Sequence, residues 1–315
     1  MKDSVKDKIV GCLYGQAVGD ALGLGTEFMS KDEVKRNYPN GLSEYSQIVQ
    51  DYHRKRWDKG DWTDDTDMML CIAKAIIKDR CINPKTIAHN FKQWFKNKPM
   101  GIGRHTYNIL ALSDYESNPE KAAEIIWILS NKNSAPNGGI MRTPVVGLWN
   151  EDVAENAERI CKLTHTDTRC IGSCVIISEL INHFVWHNMQ LSFKEILEIA
   201  DRYDKRIQQY LFLAKDGELD DLNLDEGARM GYTLKPLACA VWCLYHVNSF
   251  KGGLLKIVNA GGDADTNAAV ACAVLGAKYG MSGIPEYYVD NLNQKDVYEC
   301  IISELTDVLL DQING

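Results

Sequence analysis

The chain has 315 residues, 45% of them hydrophobic, which is enough to bury a large core in one domain or two. Its formal net charge of −8 and pI near 5.4 argue against non-specific binding to nucleic acid or to an anionic membrane. Residues 1–8 are too charged for a secretory signal, and no uninterrupted apolar run approaches the roughly 20 residues of a membrane span, so we expect neither.

The first predicted helix, residues 5–24, carries a glycine at every fourth position. These glycines, which share one helical face, are Gly11, Gly15, Gly19 and Gly23. Because glycine disfavours a helix, we expect a neighbouring helix to compensate by approaching this stripe very closely. Asp20 is interpreted as a polar residue on the solvent side. Glu27 follows in an apparent loop, where it is free to point into a site.

Residues 61–67 form an acidic stretch, with four carboxylates and two hydroxyls in seven positions and no cation until Lys74. Residues 68–78 carry apolar side chains at helical spacing, which predicts a helix with one buried face. The acidic stretch therefore lies at a helix N-terminus, where one or two of its side chains can cap free backbone N–H groups. Two or three side-chain oxygens are left without a partner.

The rest of the chain is predicted to be helical, except for irregular, polar residues 31–60, which include a solvated basic run at 53–56. Caps and apolar periodicity indicate further helices. They lie at 84–96, from 103 to about 113, from 118 to about 131, and at 152–163, 169–187, 192–212, 236–247 and 294–313. No segment alternates with period 2, so we expect one all-α domain spanning residues 1–315.

Residues 137–144 contain adjacent glycines at a predicted helix start. Such a start exposes backbone N–H groups to an anion, and Arg142 could pair with a phosphate. An ordinary turn before a helix explains the same residues equally well. His165, a lone histidine just after a helix, is by itself more often structural than catalytic.

A second acidic stretch, residues 261–266, also ends in Asp-Thr and leads into an apolar helix at 267–278. One stretch of this kind is more often a capped helix start than a metal site. Two of them in one cleft would repel each other and protonate unless cations lay between them. Their hard oxygen ligands suit Mg²⁺, Mn²⁺ or Ca²⁺ better than Zn²⁺. We therefore hypothesise a two-helix site for one or two divalent cations.

The ten cysteines are scattered through apparent helices and form no CxxC pair. This distribution is typical of reduced thiols in a protein core. We therefore expect the protein to be cytoplasmic.

Taken together, these stretches resemble the ADP-ribosylglycohydrolase family, which includes dinitrogenase reductase-activating glycohydrolase and the ADP-ribosyl-acceptor hydrolases. The resemblance runs nearly end to end, and the order and spacing of its short motifs make it specific. The motifs lie at residues 15–23 with Glu27, 62–66, 137–142, 163–165 and 261–266. The resemblance implies an all-α fold and two divalent cations, Mg²⁺ or Mn²⁺.

Carried over position by position, the resemblance implies site residues of two kinds. The implied metal ligands are Thr63, Asp64, Asp65, Asp263, Asp265 and Thr266. The implied catalytic residues are Asp64, Asp65, Asp265 and Glu27. Glu27 would bind metal or position the attacking water. The implied substrate-binding residues, which besides Glu27 include a loop facing the ADP-ribose phosphates, are Gly101, Gly103, Asn137, Gly138, Gly139, Arg142 and His165.

Two positions depart from the family pattern. The nitrogenase-regulating branch carries Asp before the Ile-Gly pair that is here 102–103, whereas this chain has Gly101. That difference weakens any transfer of the branch's substrate and of the aspartate's catalytic role. Ala264 stands where the family often has Thr, but that position is not expected to be a ligand.

The resemblance implies hydrolysis of the glycosidic bond between ADP-ribose and its acceptor, which is a protein, a nucleobase or a small conjugate. Arginine, serine, nucleobase and metabolite linkages all fit, with the acceptor side shaped by residues 31–60 and 213–233. Two alternatives stay open. One is a non-catalytic ADP-ribose-binding or structural member of the fold. The other is an all-α isoprenoid diphosphate enzyme, which also uses two Asp-rich helices with Mg²⁺.

Overall fold

The computed structural model describes residues 2–312, and the regular secondary structure of these residues is helical. Within this range, β pairing is limited to two isolated bridges, Met29 with Gly262 and Pro136 with Tyr232. The predicted all-α class is therefore confirmed.

The described part of the chain contains fifteen α-helices, joined by loops and short 3₁₀ turns. The first eight are α1 (Lys2–Gly23), α2 (Lys31–Asn37), α3 (Asp64–Asp79), α4 (Pro84–Lys96), α5 (Arg104–Leu110), α6 (Pro119–Leu129), α7 (Val153–Lys162) and α8 (Thr168–Asn182). The remaining seven are α9 (Phe193–Asp201), α10 (Lys205–Asp216), α11 (Leu234–His246), α12 (Phe250–Val258), α13 (Ala264–Tyr279), α14 (Glu286–Asp290) and α15 (Lys295–Asp311).

Helices α1 and α13 run antiparallel through the middle of the fold with their backbones in contact. From one end of α1 to the other, its glycines Gly11, Gly15, Gly19 and Gly23 face Gly276, Cys272, Ala268 and Ala264 of α13. A Cβ added at Gly15 would lie 2.2 Å from the carbonyl oxygen of Cys272. The close approach predicted from the glycine stripe is confirmed, and it brings the C-terminal end of α1 beside the start of α13.

The other helices enclose this pair. Helices α8, α11 and α12 pack against α13, while α15 packs against both α1 and α3. Helix α8 continues into a π-helical turn, His183–His187, and this run is long and apolar enough to cross a membrane by length and composition alone. Within its most apolar window, however, 78% of the residues are buried in the fold, as in a core helix.

Several helix boundaries follow the predicted capping residues. Helix α4 begins at Pro84 after Asn83, and α6 begins at Pro119 after Asn118; both asparagine side chains accept a backbone N–H of the first turn. The predicted last residue of α15, Ile313, lies outside the described residues, and the helix ends at Asp311.

Two predictions about local structure were wrong, and two helices were missed. Residues 31–60 are not wholly irregular, because Ser30 and Glu33 form a reciprocal capping box that starts α2. The single helix predicted at 192–212 is two helices, since Asp204 caps a new start at α10. Helices α12 and α14 were not predicted; α14 has only five residues, too few to show a periodicity.

Gly15→Ala is expected to lower the free energy of unfolding by about 2 kcal/mol or more, because the added methyl group meets backbone that cannot rotate away. Thermal unfolding followed by circular dichroism measures the change. Gly227→Ala is the matched control, since no heavy atom lies within 4 Å of a Cβ added there. Equal melting temperatures for the two variants would contradict the proposed backbone contact.

Candidate active site

The N-terminus of α3 is capped by Asp20 of α1. Its carboxylate accepts the backbone N–H groups of Thr63 and Thr66, each at 3.0 Å, and their hydroxyl groups at 2.8 and 2.6 Å. Asp20 is fully buried, so its assignment to the solvent side was wrong. Because the cap comes from another helix, no carboxylate of the acidic stretch is needed for it, and the Thr63 hydroxyl keeps both oxygen lone pairs.

The four carboxylates of residues 61–67 point in different directions. Asp64 and Asp65 line a cavity of about 560 Å³. Asp67 instead accepts the indole N–H groups of Trp62 and Trp94, and Asp61 accepts the backbone N–H of Asp58. The first acidic stretch therefore supplies two carboxylates to the cavity.

The second acidic stretch reaches the same cavity from the start of α13. Asp263, Asp265 and Thr266 line it, together with Glu27 from the loop after α1. One carboxylate oxygen each of Glu27, Asp263 and Asp265 lies within 4.8 Å of the other two. Residues more than 230 positions apart along the sequence thus form one acidic cluster.

The paired glycines before Asp263 connect this stretch to the Glu27 loop. Gly261 and Gly262 have φ angles of +72° and +76°, which favour glycine. A Cβ at Gly262 would lie 2.2 Å from the carbonyl oxygen of Leu224. The backbone of Gly262 also exchanges two hydrogen bonds with Phe28 and Met29, so the two loops are held together.

The carboxylate of Glu27 is oriented by His53. His53 Nε2 lies 2.6 Å from Glu27 Oε2, and its other ring nitrogen, Nδ1, lies 2.7 Å from Arg56 Nη2. A guanidinium can only donate, so Nδ1 accepts and Nε2 carries the proton given to Glu27. Arg56 thereby determines which tautomer of His53 faces Glu27.

Arg54 holds the backbone of the same loop. Its side chain is only 3% exposed and donates to the carbonyl oxygens of Leu24, Gly25 and Glu27. The interpretation of 53–56 as a solvated basic run was therefore wrong for Arg54 and His53. Sequence reasoning missed both, because their partners lie some 25 to 30 residues away in a loop without periodicity.

Asn137 and Gly138 line the cavity, whereas Gly139 lies behind it against Cys161 and His165. The Asn137 amide donates to Asp263 Oδ2 at 2.7 Å. A Cβ at Gly138 would lie 3.1 Å from Cε1 of His165, so a side chain at this position would press against the histidine ring.

Arg142 does not face the cavity. It is fully buried over the Phe91 ring and donates to Gly138 O and to Thr164 Oγ1, at 2.7 and 2.5 Å. The expectation that it pairs directly with phosphate is therefore wrong for this geometry. The 3₁₀ turn Ile140–Arg142 turns the side chain inward, a direction that a glycine-rich motif does not reveal.

Arg142 instead acts on His165. The buried Thr164 hydroxyl accepts from Arg142, and His165 Nδ1, 2.7 Å away, is the one acceptor among the described residues for its own proton. Burial holds the pKa of His165 well below its ordinary value, so the ring is neutral and carries its proton on Nε2. Nε2 is buried and has no partner among the described residues, and His165 is one of the residues that line the cavity.

Gly101 and Gly103 also line the cavity. Gly101 has a φ of +84°, and a Cβ there would lie 2.7 Å from Oδ1 of Asp64. This loop conformation therefore admits only glycine at 101 without displacement of a carboxylate. Arg104, which sequence reasoning missed, also lines the cavity.

The acidic cluster is strained electrostatically. Burial, followed by the neighbouring carboxylates, raises the pKa values of Asp64, Asp65 and Asp265 well above the ordinary range. Burial and Glu27 raise the pKa of Asp263 to about 6, although hydrogen bonds lower it. Such a cluster keeps its negative charge only when cations balance it.

The donor set fits divalent cations. Oδ1 of Asp65 and Oδ1 of Asp265 are buried and have no hydrogen-bond partner among the described residues. Glu27 pairs with a histidine whose other ring nitrogen accepts from Arg56, rather than with a lysine or arginine. Unsatisfied carboxylate oxygens with a threonine hydroxyl beside them are hard ligands of the kind that Mg²⁺ and Mn²⁺ prefer.

Comparison with known proteins gives a consistent family assignment. The sequence model of a family described as ADP-ribosylglycohydrolase matches residues 1–314. The ADP-ribosylarginine hydrolase Tri1 of Serratia proteamaculans is 25% identical over 92% of this chain and 76% of its own. The ADP-ribosyl-[dinitrogen reductase] glycohydrolase of Rhodospirillum rubrum is 25% identical, over 93% of this chain and 92% of its own.

A solved structure titled "ADP-ribosylglycohydrolase-related protein complex" has the same fold. It superposes with a TM-score of 0.75 at 24% identity, covering 98% of this chain and 99% of its own. Neither alternative from the sequence, a non-catalytic binder or an isoprenoid diphosphate enzyme, is favoured by these matches.

Asp20→Asn is expected to destabilise the fold by roughly 2 kcal/mol or more, since an amide NH₂ would face donors that the carboxylate now accepts. Urea unfolding followed by circular dichroism measures the loss. The control is Asp3→Asn, an exposed change in the first turn of the same helix. If both variants unfolded at the same urea concentration, Asp20 would not be the cap of α3.

Proposed function

The chain belongs to the ADP-ribosylglycohydrolase family of glycosidic-bond hydrolases, and we propose that it cleaves the bond between C1 of an ADP-ribosyl ribose and its acceptor with two divalent cations, Mg²⁺ or Mn²⁺. One observation carries the metal part of this proposal. Two acidic helix starts meet in one cavity, where buried oxygens of Asp65 and Asp265 have no partner among the described residues.

Residues from both helix starts would hold the cations. They are Thr63, Asp64 and Asp65 beside Asp263, Asp265 and Thr266. Bound divalent cations supply Lewis-acid chemistry, which polarises sugar hydroxyl groups and acidifies water. The carboxylates contribute the compensating negative charge, and the cap from Asp20 leaves them free to do so.

Glu27 is proposed as the group that aligns or deprotonates the attacking water. Oε2 is held by His53, and no described residue donates to Oε1. One oxygen is thus anchored while the other faces the cavity, as a general base requires. Because the bond breaks through an oxocarbenium-like state, fixing the direction of the water matters as much as activating it.

The remaining cavity residues are proposed to orient ADP-ribose. The Nε2–H of His165 offers a preorganised donor to a substrate oxygen, and Gly138 leaves room for that oxygen to approach. Gly101 and Gly103, which also line the cavity, offer their backbone groups to the substrate. Arg142 and Gly139 take part by positioning His165.

Arginine, serine, nucleobase and small-molecule linkages all fit the proposed reaction. Gly101 provides no carboxylate for a cationic acceptor, and a side chain at that position would collide with Asp64. We propose a cytoplasmic enzyme acting as one unit over residues 1–315 on ADP-ribosylated protein, nucleobase or small conjugates, without membrane or non-specific nucleic-acid binding.

Asp65→Asn is expected to lower turnover about a hundredfold or more while the far-ultraviolet circular dichroism stays helical, because a cation ligand is lost. The measurement is release of ADP-ribose from arginine, serine, nucleobase and O-acetyl conjugates with Mg²⁺, Mn²⁺ or EDTA. Asp67→Asn is the matched control, as its carboxylate lies on the same helical turn but contacts two tryptophans. Metal-independent release, or equal activity of both variants, would refute the proposal.

Asp265→Asn is expected to be at least as stable as wild type in EDTA, because it removes repulsion among buried carboxylates. In Mn²⁺ we expect the opposite, with wild type more stable than Asp265→Asn. A ligand at a hundred times its dissociation constant adds about 2.7 kcal/mol to wild-type stability, and the variant should lose most of that gain. Melting temperatures with and without Mn²⁺ measure both effects, and Asp67→Asn should retain the full response. A variant that responded to Mn²⁺ like wild type would exclude Asp265 as a ligand.

A further inference from the structure

A second cavity, of about 660 Å³, adjoins the cavity that contains the acidic cluster. The two share Ser134, Pro136 and Gly231 as a common wall. A Cβ at Gly231 would lie 3.4 Å from Oδ2 of Asp263 and 3.7 Å from Oδ1 of Asn137. The shared wall is thus thin at position 231, where a side chain would extend toward the acidic cluster.

The linings of the two cavities differ in charge. The first is lined by five carboxylates, those of the acidic cluster and of Asp64 and Asp65, and by a single arginine, Arg104. The second is lined by Arg169, Arg206 and Arg229 and by no aspartate or glutamate. Two of these arginines pair with aspartates outside the lining, so the positive charge that is not balanced by a salt bridge among the described residues is that of Arg229.

The three arginines differ in how they are held. Arg169 is 5% exposed and bound through two nitrogens to Asp167, at 2.7 and 2.8 Å, and to the carbonyl oxygen of Asn133. Arg206 binds Asp204 through Nε and Nη2, which leaves Nη1 without a partner among the described residues. Arg229 is exposed and has no salt bridge in that part of the chain.

Two tyrosines complete the wall. Tyr210 and Tyr232 pack edge to face, with ring centroids 5.6 Å apart, and Arg169 lies over the Tyr232 ring. Arg169 therefore positions the aromatic wall, whereas Arg206 and Arg229 have N–H donors available to a ligand. Guanidinium groups with free donors bind phosphate and carboxylate oxygens through charge-assisted hydrogen bonds.

We propose that the second cavity binds an anionic group of the substrate, a phosphate or a carboxylate, with Arg206 and Arg229 as its donors. This inference rests on the proposed function, since it assigns the cavity to the same conjugate whose ribose lies at the acidic cluster. The anion has two sources with the same chemistry: the diphosphate of ADP-ribose itself, or an acidic group of the acceptor.

The test compares the double variant Arg206→Gln/Arg229→Gln with the control Arg36→Gln/Arg202→Gln, which removes the same charge from exposed positions outside both cavities. Calorimetry measures the affinities of ADP-ribose and of inorganic pyrophosphate in Mg²⁺. Kinetics then measure kcat/KM on two peptides with the linkage that wild type cleaves, differing only in glutamate or glutamine beside the modified residue.

The cavity variant loses two charge-assisted hydrogen bonds, which should weaken its binding of the anion about tenfold or more. A tenfold loss of ADP-ribose affinity in the cavity variant alone would identify the diphosphate as the bound anion. Unchanged ADP-ribose affinity with a tenfold fall in kcat/KM for the glutamate peptide only would identify an acidic acceptor. Both results support the cavity as an anion site. Equal behaviour of the cavity variant and the control in every assay would overturn it.

Failure of the proposed function can be told apart from failure of this inference. If wild type cleaved no linkage, the affinities of ADP-ribose and pyrophosphate would still be measured without turnover. Weaker pyrophosphate binding in the cavity variant than in the control would then support the anion site. For a protein that cleaves no linkage, equal pyrophosphate affinities and equal ADP-ribose affinities of the two variants would overturn it.

Discussion

Direct backbone contact between α1 and α13 is the constraint on which the site depends. The glycines of α1 let the two helices approach until a methyl group no longer fits, and this fixes Gly23 against Ala264 and Asp265. The Glu27 loop and the second acidic stretch then begin side by side. Asp20, three residues before Gly23, reaches α3 and caps it. One helix contact thus places three chain segments around a single cavity, within the small tolerance that close packing allows.

Neutral donors orient the acidic cluster without cancelling its charge. Asn137 donates to Asp263, and His53 in its neutral form donates to Glu27. A lysine or arginine in either place would satisfy the same oxygens, but it would also supply the positive charge that a divalent cation is proposed to bring. The cost is instability of the metal-free cluster, which shows in the raised pKa values of Asp65 and Asp265.

The helical class, the close contact at the glycine stripe and the meeting of two acidic stretches were predictable, because each leaves a periodic or repeated pattern in the sequence. The residues that orient the site were not. Asp20 looks like any helical aspartate, and its role depends on a partner helix more than 40 residues later. Arg54 and His53 act across a loop without periodicity, and the direction of Arg142 depends on a single 3₁₀ turn. Sequence patterns report local order, whereas these contacts depend on tertiary structure.

Two arginines act on the site through histidines. Arg56 donates to Nδ1 of His53 and so directs its Nε2–H at Glu27. Arg142 binds the Thr164 hydroxyl, which donates to Nδ1 of His165 and leaves the proton of that ring on Nε2. Neither Arg56 nor Arg142 lines the cavity of the acidic cluster, where Arg104 is the one arginine among the described residues. Two further guanidinium groups with free donors, those of Arg206 and Arg229, lie beyond Gly231 at a cavity without carboxylates in its lining, where an anion is the ligand that their charge favours.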